Sequence, residues 1–96
     1  MSGFFGVASR TDCVADLYYG TDYHSHLGTR RGGIVTTRQG AFKRTIHDIS
    51  NAPFRTKFEE ELSKHQGSFG VGIISDYEDQ PLVIGSHHGV YALATV

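Results

Sequence analysis

Apolar and polar positions alternate with different periods along the chain, and each change of period marks an element. Residues 3–8, Gly-Phe-Phe-Gly-Val-Ala, are an apolar run too short for a helix, and they predict a buried strand. Such a strand would anchor a terminus of the kind that usually frays. Residues 12–27 read as a helix with Asp12 as N-cap, Asp16 in the early helix, and Val14, Leu17, Tyr18 and Leu27 on the apolar face. Gly20 and Thr21 weaken its middle, and Gly28 is a natural stop. Residues 33–38 are rich in β-branched side chains, Gln39-Gly40 is a turn signal, and 41–49 alternate imperfectly, so 33–49 predict a hairpin. Asn51-Ala52-Pro53 opens a second helix, with Asn51 as a cap and Pro53 in the first turn. Its apolar face is Phe54, Phe58 and Leu62; Glu59, Glu60, Glu61 and Lys64 face solvent, and His65-Gln66-Gly67 ends it. Residues 68–74 read as a buried strand and 76–81 as a polar loop. Residues 82–85 and 90–96 are two further strands joined through 86–89. The order is β-α-β-β-α-β-β-β, with no internal repeat and no linker.

Composition narrows the class. At 96 residues, 39% hydrophobic and 20% charged, the chain suits a single small α+β domain. A domain of this size is marginally stable alone. The last predicted strand runs to the final residue with no turn or cap, which reads as a chain cut from something larger. No apolar run is long enough for a membrane helix, and no basic segment followed by an apolar one marks a secretory signal. A net charge of −1 gives no electrostatic footprint for nucleic acid or an anionic membrane. One cysteine, Cys13, allows neither an internal disulfide nor an all-cysteine zinc site, which fits a reducing cytoplasm.

Candidate chemistry is spread along the chain. Removal of Met1 would leave Ser2 with a free α-amine beside its own hydroxyl. An α-amine titrates near pH 8 and can serve as base for that hydroxyl. The plainer reading is an ordinary Met-Ser start. His24-Ser25-His26 has a spacing that suits a metal mainly on a strand, so a helix-end role for a histidine is the simpler assignment. Thr29-Arg30-Arg31-Gly32-Gly33 reads as a basic, glycine-rich turn, either solvated or able to hold a phosphate or carboxylate. It fits no Walker or dinucleotide spacing, so no cofactor is expected. His87-His88 fall in a hairpin turn, and Cys13 reads as an inert buried thiol. Asp76, Glu78 and Asp79, with Tyr77 and Gln80, form an acidic loop that is solvated or recognises an amine or amide.

The order of these features is more informative than any one of them. Ser-Gly-Phe-Phe-Gly-Val (2–7), then a helix, then His26-x-Gly28 leading to Gly33-Ile34, resembles the start of the glutaminase domain of class II glutamine amidotransferases. Their amidophosphoribosyltransferase-like branch is the nearest. Gly70-Val71-Gly72, Gln80-Pro81 and His88-Gly89 followed by Ala92-Leu93-Ala94 continue the likeness over the whole chain. The resemblance implies an N-terminal nucleophile hydrolase-like αββα sandwich, of which residues 1–96 would be the N-terminal half, a partial glutaminase domain. It implies that an N-terminal cysteine attacks the glutamine amide with its α-amine as base. Glutamate and ammonia are released, the ammonia serving purine nucleotide synthesis. The implied ligand is glutamine or a related small amide.

Departures from the family pattern bear on activity. Ser2 stands at the nucleophile position, where the family has cysteine, and is native or an engineered replacement. Ile73 and Ser75 stand where the family has the histidine and the carboxylate-gripping arginine, and Leu27 replaces another arginine. The chain stops before the segment that supplies the oxyanion hole. The catalytic position is thus Ser2, and Ser75, Asp76 and Tyr77 are substrate-side by position. This chain is expected to be inactive by itself, or to be a non-catalytic pseudo-glutaminase that binds or regulates; a different amide hydrolase acting through Ser2 is a further reading. Unpaired sheet edges and apolar surface predict self-association, unless the remainder of the domain covers them.

Overall fold

The computed structural model of the chain describes residues 3–25, 30–38, 41–76, 79–87 and 89–94. The elements follow the expected order: β1 (Gly3–Ala8), α1 (Val14–Tyr23), β2 (Arg31–Arg38), β3 (Ala41–Asp48), α2 (Phe54–Phe58) running into a 3-10 helix (Glu59–Lys64), β4 (Phe69–Ser75), β5 (Leu82–Ser86) and β6 (Gly89–Leu93). Strands β1 to β4 form an antiparallel sheet in the order β1-β4-β2-β3, and β5 and β6 pair as a separate hairpin. This is a small α+β fold built from antiparallel sheets.

Register decides which side chains face the helices. Phe5 pairs with Gly72, which pairs with Ile34; Val7 lines up likewise with Gly70 and Thr36, and Gly3 with Ile74 and Gly32. Residues directly opposite in adjacent strands share a face. That face carries the helices: α1 lays Leu17 over Gly70 and Thr21 over Gly72, and Phe54 and Phe58 rest against Gly32. At Gly72 a Cβ would lie 1.8 Å from the Thr21 hydroxyl oxygen, so only glycine lets α1 approach β4 this closely. The core is Leu17, Tyr18, Ile34, Ile49, Phe54, Phe58 and Ile74, with Phe5, Val7 and Leu62 packed against it. Phe54 and Phe58 stack at 4.3 Å between ring centroids, and His47 meets the Phe58 ring edge-on at 4.9 Å. The Tyr18 hydroxyl donates to the Arg55 carbonyl at 3.3 Å, which ties α1 to α2.

The structure corrects several expectations. β1 is not buried throughout. It is an edge strand whose Phe5 and Val7 face the core while Phe4, on the other face, is 55% exposed. The first helix ends at Tyr23, four residues short of the expected end, and residues 26–29 lie outside the described residues. Asp12 does act at its start, but from one position further out: its carboxylate accepts the Val14 N–H at 3.2 Å while Cys13 occupies the cap. The second helix is one α segment followed by 3-10 geometry. Pro53, not Asn51, takes its cap position, and no side chain bonds the free N–H groups there. β2 starts two residues before the expected strand, so Arg31 and Gly32 belong to it and not to a turn, because β3 and β4 pair with them on both sides.

The opposite face of the sheet is apolar and only partly covered. Val35, Val71, Phe42 and Phe69, with Ala92 of β6, line a hollow of about 440 Å³ there. Leu82, Val83, Ile84, Val90, Tyr91 and Leu93 of the β5–β6 hairpin are exposed. Among the described residues no helix is long and apolar enough to cross a membrane.

Candidate functional site

The register also fixes which chain segments meet at the end of the sheet where β1 begins. Gly3 lies opposite Ile74, and Ile74 opposite Gly32, so the start of β1, the end of β4, the start of β2 and the end of β3 share one edge. Arg31, Ser75 and Asp48 sit side by side in register there. The Arg31 guanidinium is held between two carboxylates, Asp48 at 3.1 Å and Asp79 at 2.9 Å. Asp48 also accepts the Ser50 N–H at 2.8 Å and the Ser50 hydroxyl at 2.5 Å. Those bonds, and then Arg31, hold its carboxyl below the usual aspartate range. The Arg30 N–H donates to Asp76 at 3.3 Å, which fastens the end of β4 to the start of β2.

The segment 79–81 closes over the same edge. Gln80 and Pro81 are buried, and Arg44 donates to the Pro81 carbonyl at 3.3 Å. Their backbone rests on Gly33, where a Cβ would lie 1.7 Å from the Gln80 carbonyl oxygen. The acidic loop and the basic, glycine-rich stretch of the sequence are therefore partners across one edge. The charge of Arg31, a candidate for holding an anion in a turn, is already matched by this chain's own carboxylates.

Of the residues singled out from sequence, Ser75 is buried at the end of β4 and Asp76 follows it on this edge. Ser2 and Tyr77 lie outside the described residues, as do Glu78, His26 and His88. The His24 backbone N–H bonds the Thr21 carbonyl at 3.0 Å at the end of α1, and His87 lies in the β5–β6 turn. Among the described residues no three histidine, cysteine or acidic side chains group around a metal position. Cys13 is buried, and burial followed by the neighbouring Asp12 pushes its thiol up, so it is held protonated and unreactive.

One functional-looking residue escaped the sequence. His65 was legible only as a helix terminator, yet it is buried, with Nδ1 2.8 Å from the Thr36 hydroxyl and Nε2 2.8 Å from the Thr45 hydroxyl. It joins β2 to β3 from the helix side. Burial, and then Lys43, holds its pKa below the ordinary histidine value, with Glu61 opposing. No local signal separates such a histidine from a solvated one, because its partners come from two strands distant in sequence.

The sign of the linkage follows. Unfolded His65 takes up a proton near pH 6.5, whereas the folded chain resists it to lower pH. Falling pH below about 6.5 therefore favours the unfolded state, and stability rises with pH across that window. Urea midpoints measured from pH 5 to 7 are expected to rise less steeply in His65→Gln than in the parent chain. Parallel slopes would show that His65 titrates alike in both states.

The chain has a phosphoribosylpyrophosphate amidotransferase-like fold. The likeness is to a solved structure from B. subtilis, glutamine phosphoribosylpyrophosphate amidotransferase complexed with ADP and GMP, at a TM-score of 0.78 and 25% identity over 98% of this chain. The chain spans 21% of the length of that protein. No protein-family profile matches the chain, and no curated protein does.

Proposed function

We propose that residues 1–96 form the N-terminal part of the glutaminase domain of a class II glutamine amidotransferase. The whole protein would hydrolyse glutamine to glutamate and ammonia, and the ammonia would serve purine nucleotide synthesis. The observation that carries this reading is the edge itself. Gly3, the residue after Ser2, is paired into the sheet beside Ile74 and Gly32, next to Ser75, Asp76 and Arg31. The residue that follows the candidate nucleophile is thus hydrogen-bonded into a strand. Rigid positioning is what converts an adjacent amine and hydroxyl into a base and a nucleophile. The match of nearly the whole chain to an amidotransferase supports the same assignment.

A second reading, a pseudo-glutaminase that binds without hydrolysis, is favoured by β4. Ile73 and Ser75 are buried and offer no cation for a substrate carboxylate, and Arg31 is neutralised by Asp48 and Asp79. Intact mass and glutamate release together separate the two. On the first reading Met1 is absent, and in the whole protein Ser2→Cys releases glutamate from glutamine at least about tenfold faster than the serine form, because a thiol is the stronger nucleophile at neutral pH. Retention of Met1 leaves no free amine on Ser2 and defeats the first reading. Loss of Met1 with no glutamate from either form favours the second.

A further inference from the structure

The opposite end of the sheet holds a cleft of about 660 Å³ between the segment that leaves β1 and the segment that enters β4. The two segments are stitched together. The Ser9 N–H donates to the Ser68 carbonyl and the Cys13 N–H to the Gly67 carbonyl, each at 2.7 Å. The Gly67 N–H donates back to Asp12 at 3.0 Å. Arg10, Arg38, Thr11, Gln66 and Ser68 line the space between them.

The charge there is unbalanced. Two arginines and one carboxylate, Asp12, line it, and that carboxylate already accepts the backbone N–H groups of Val14 and Gly67. Among the described residues neither Arg10 nor Arg38 forms an ion pair, in contrast to Arg31 and Arg55, which both do. Arg38 lies beside Gln66, whose side-chain oxygen accepts from one of its terminal N–H groups. The rest of its planar donor fork remains free for a ligand.

We propose that this cleft binds a phosphate monoester, with Arg38 and Arg10 as its cationic donors. A tetrahedral oxyanion presents several oxygens to two guanidinium forks at once, which suits the pair better than a planar carboxylate. The volume falls in the range of small-molecule pockets and leaves room for the organic part of an ester beyond the phosphoryl group. The site lies at the other end of the strands from Gly3 and does not depend on the glutaminase assignment.

The test is a titration of the ¹⁵N-labelled chain with glycerol phosphate, inorganic phosphate, glutamate and sodium chloride at matched ionic strength. Glycerol phosphate is expected to give saturable shifts at the amides of residues 9–12 and 66–68 and to bind more tightly than inorganic phosphate. Arg10→Ala should weaken it about tenfold (about 1.4 kcal/mol). Arg10 is exposed and unpartnered among the described residues, so this variant keeps the fold. Arg38→Lys keeps the charge but loses the fork, and should weaken binding too. Equal shifts with chloride, an unchanged affinity in Arg10→Ala, or no saturation at concentrations on the order of 10 mM would overturn the site. Glutamate binding as tightly as the ester, or inorganic phosphate doing so, would overturn the ester as its ligand.

Discussion

Phe58→Ala is expected to lower the melting temperature by on the order of 12–40 °C and to leave much of the chain unfolded at 37 °C. Phe58 is fully buried, stacked on Phe54 and edge-on to His47, and it packs against Gly32 of β2. Truncating such a ring removes its transfer free energy and leaves a cavity, together about 3–5 kcal/mol. Whole domains are stable by only about 5–15 kcal/mol, and small ones sit at the low end. In a domain of this length each kcal/mol moves the midpoint by roughly 4–8 °C. Phe58→Leu fills most of the space and should cost far less. Thermal unfolding followed by far-UV circular dichroism reads both variants. A drop of only a few degrees in the alanine form would show that α2 contributes little to the core.

Gly33→Ala is the second large effect, and it acts on the proposed glutamine edge. The added methyl would lie 1.7 Å from the Gln80 carbonyl oxygen and 2.9 Å from the Pro81 ring. These are backbone and ring atoms that cannot rotate away, so segment 79–81 must lift off β2. Overpacking of this kind costs about 1–3 kcal/mol. Lifting the segment also moves Asp79 from Arg31 and the Pro81 carbonyl from Arg44. Amide exchange should therefore accelerate at Asp79, Gln80 and Arg31 while the Phe54–Phe58 region stays protected. Unchanged protection at Asp79 and Gln80 would mean that the segment does not rest on Gly33.

Particular residues explain what the sequence revealed and what it withheld. The order of elements was legible because period and punctuation agree: Gln39-Gly40 separates two β-rich runs, and Phe54 and Phe58 lie four apart. The misreadings in the sheet and at the site come from pairing across long sequence separations. Arg31 and Gly32 look like a turn locally, but β3 and β4 pair with them on both sides and draw them into a strand. Phe4 and Phe5 are chemically alike, yet only Phe5 faces α1, since adjacent residues on a strand point to opposite faces. At the site, Asp79 and Arg31 were each visible as charged residues. Their pairing was not, because it depends on the return of segment 79–81 over β2. His65 was hidden for the same reason, its two hydroxyl partners lying on β2 and β3.

The strand order has a consequence for how the chain is born. β2 and β3 are neighbours in sequence and can pair as soon as they emerge, but β1 pairs only with β4. The partner of Gly3 is Ile74, about 70 residues later, and at about 5–20 residues per second it leaves the ribosome on the order of 4–14 s after Gly3. During that interval β1 has no β4 to pair with. β1 is thus held back until β4 is made, so a chain stopped before Ile74 would leave Gly3 without its partner.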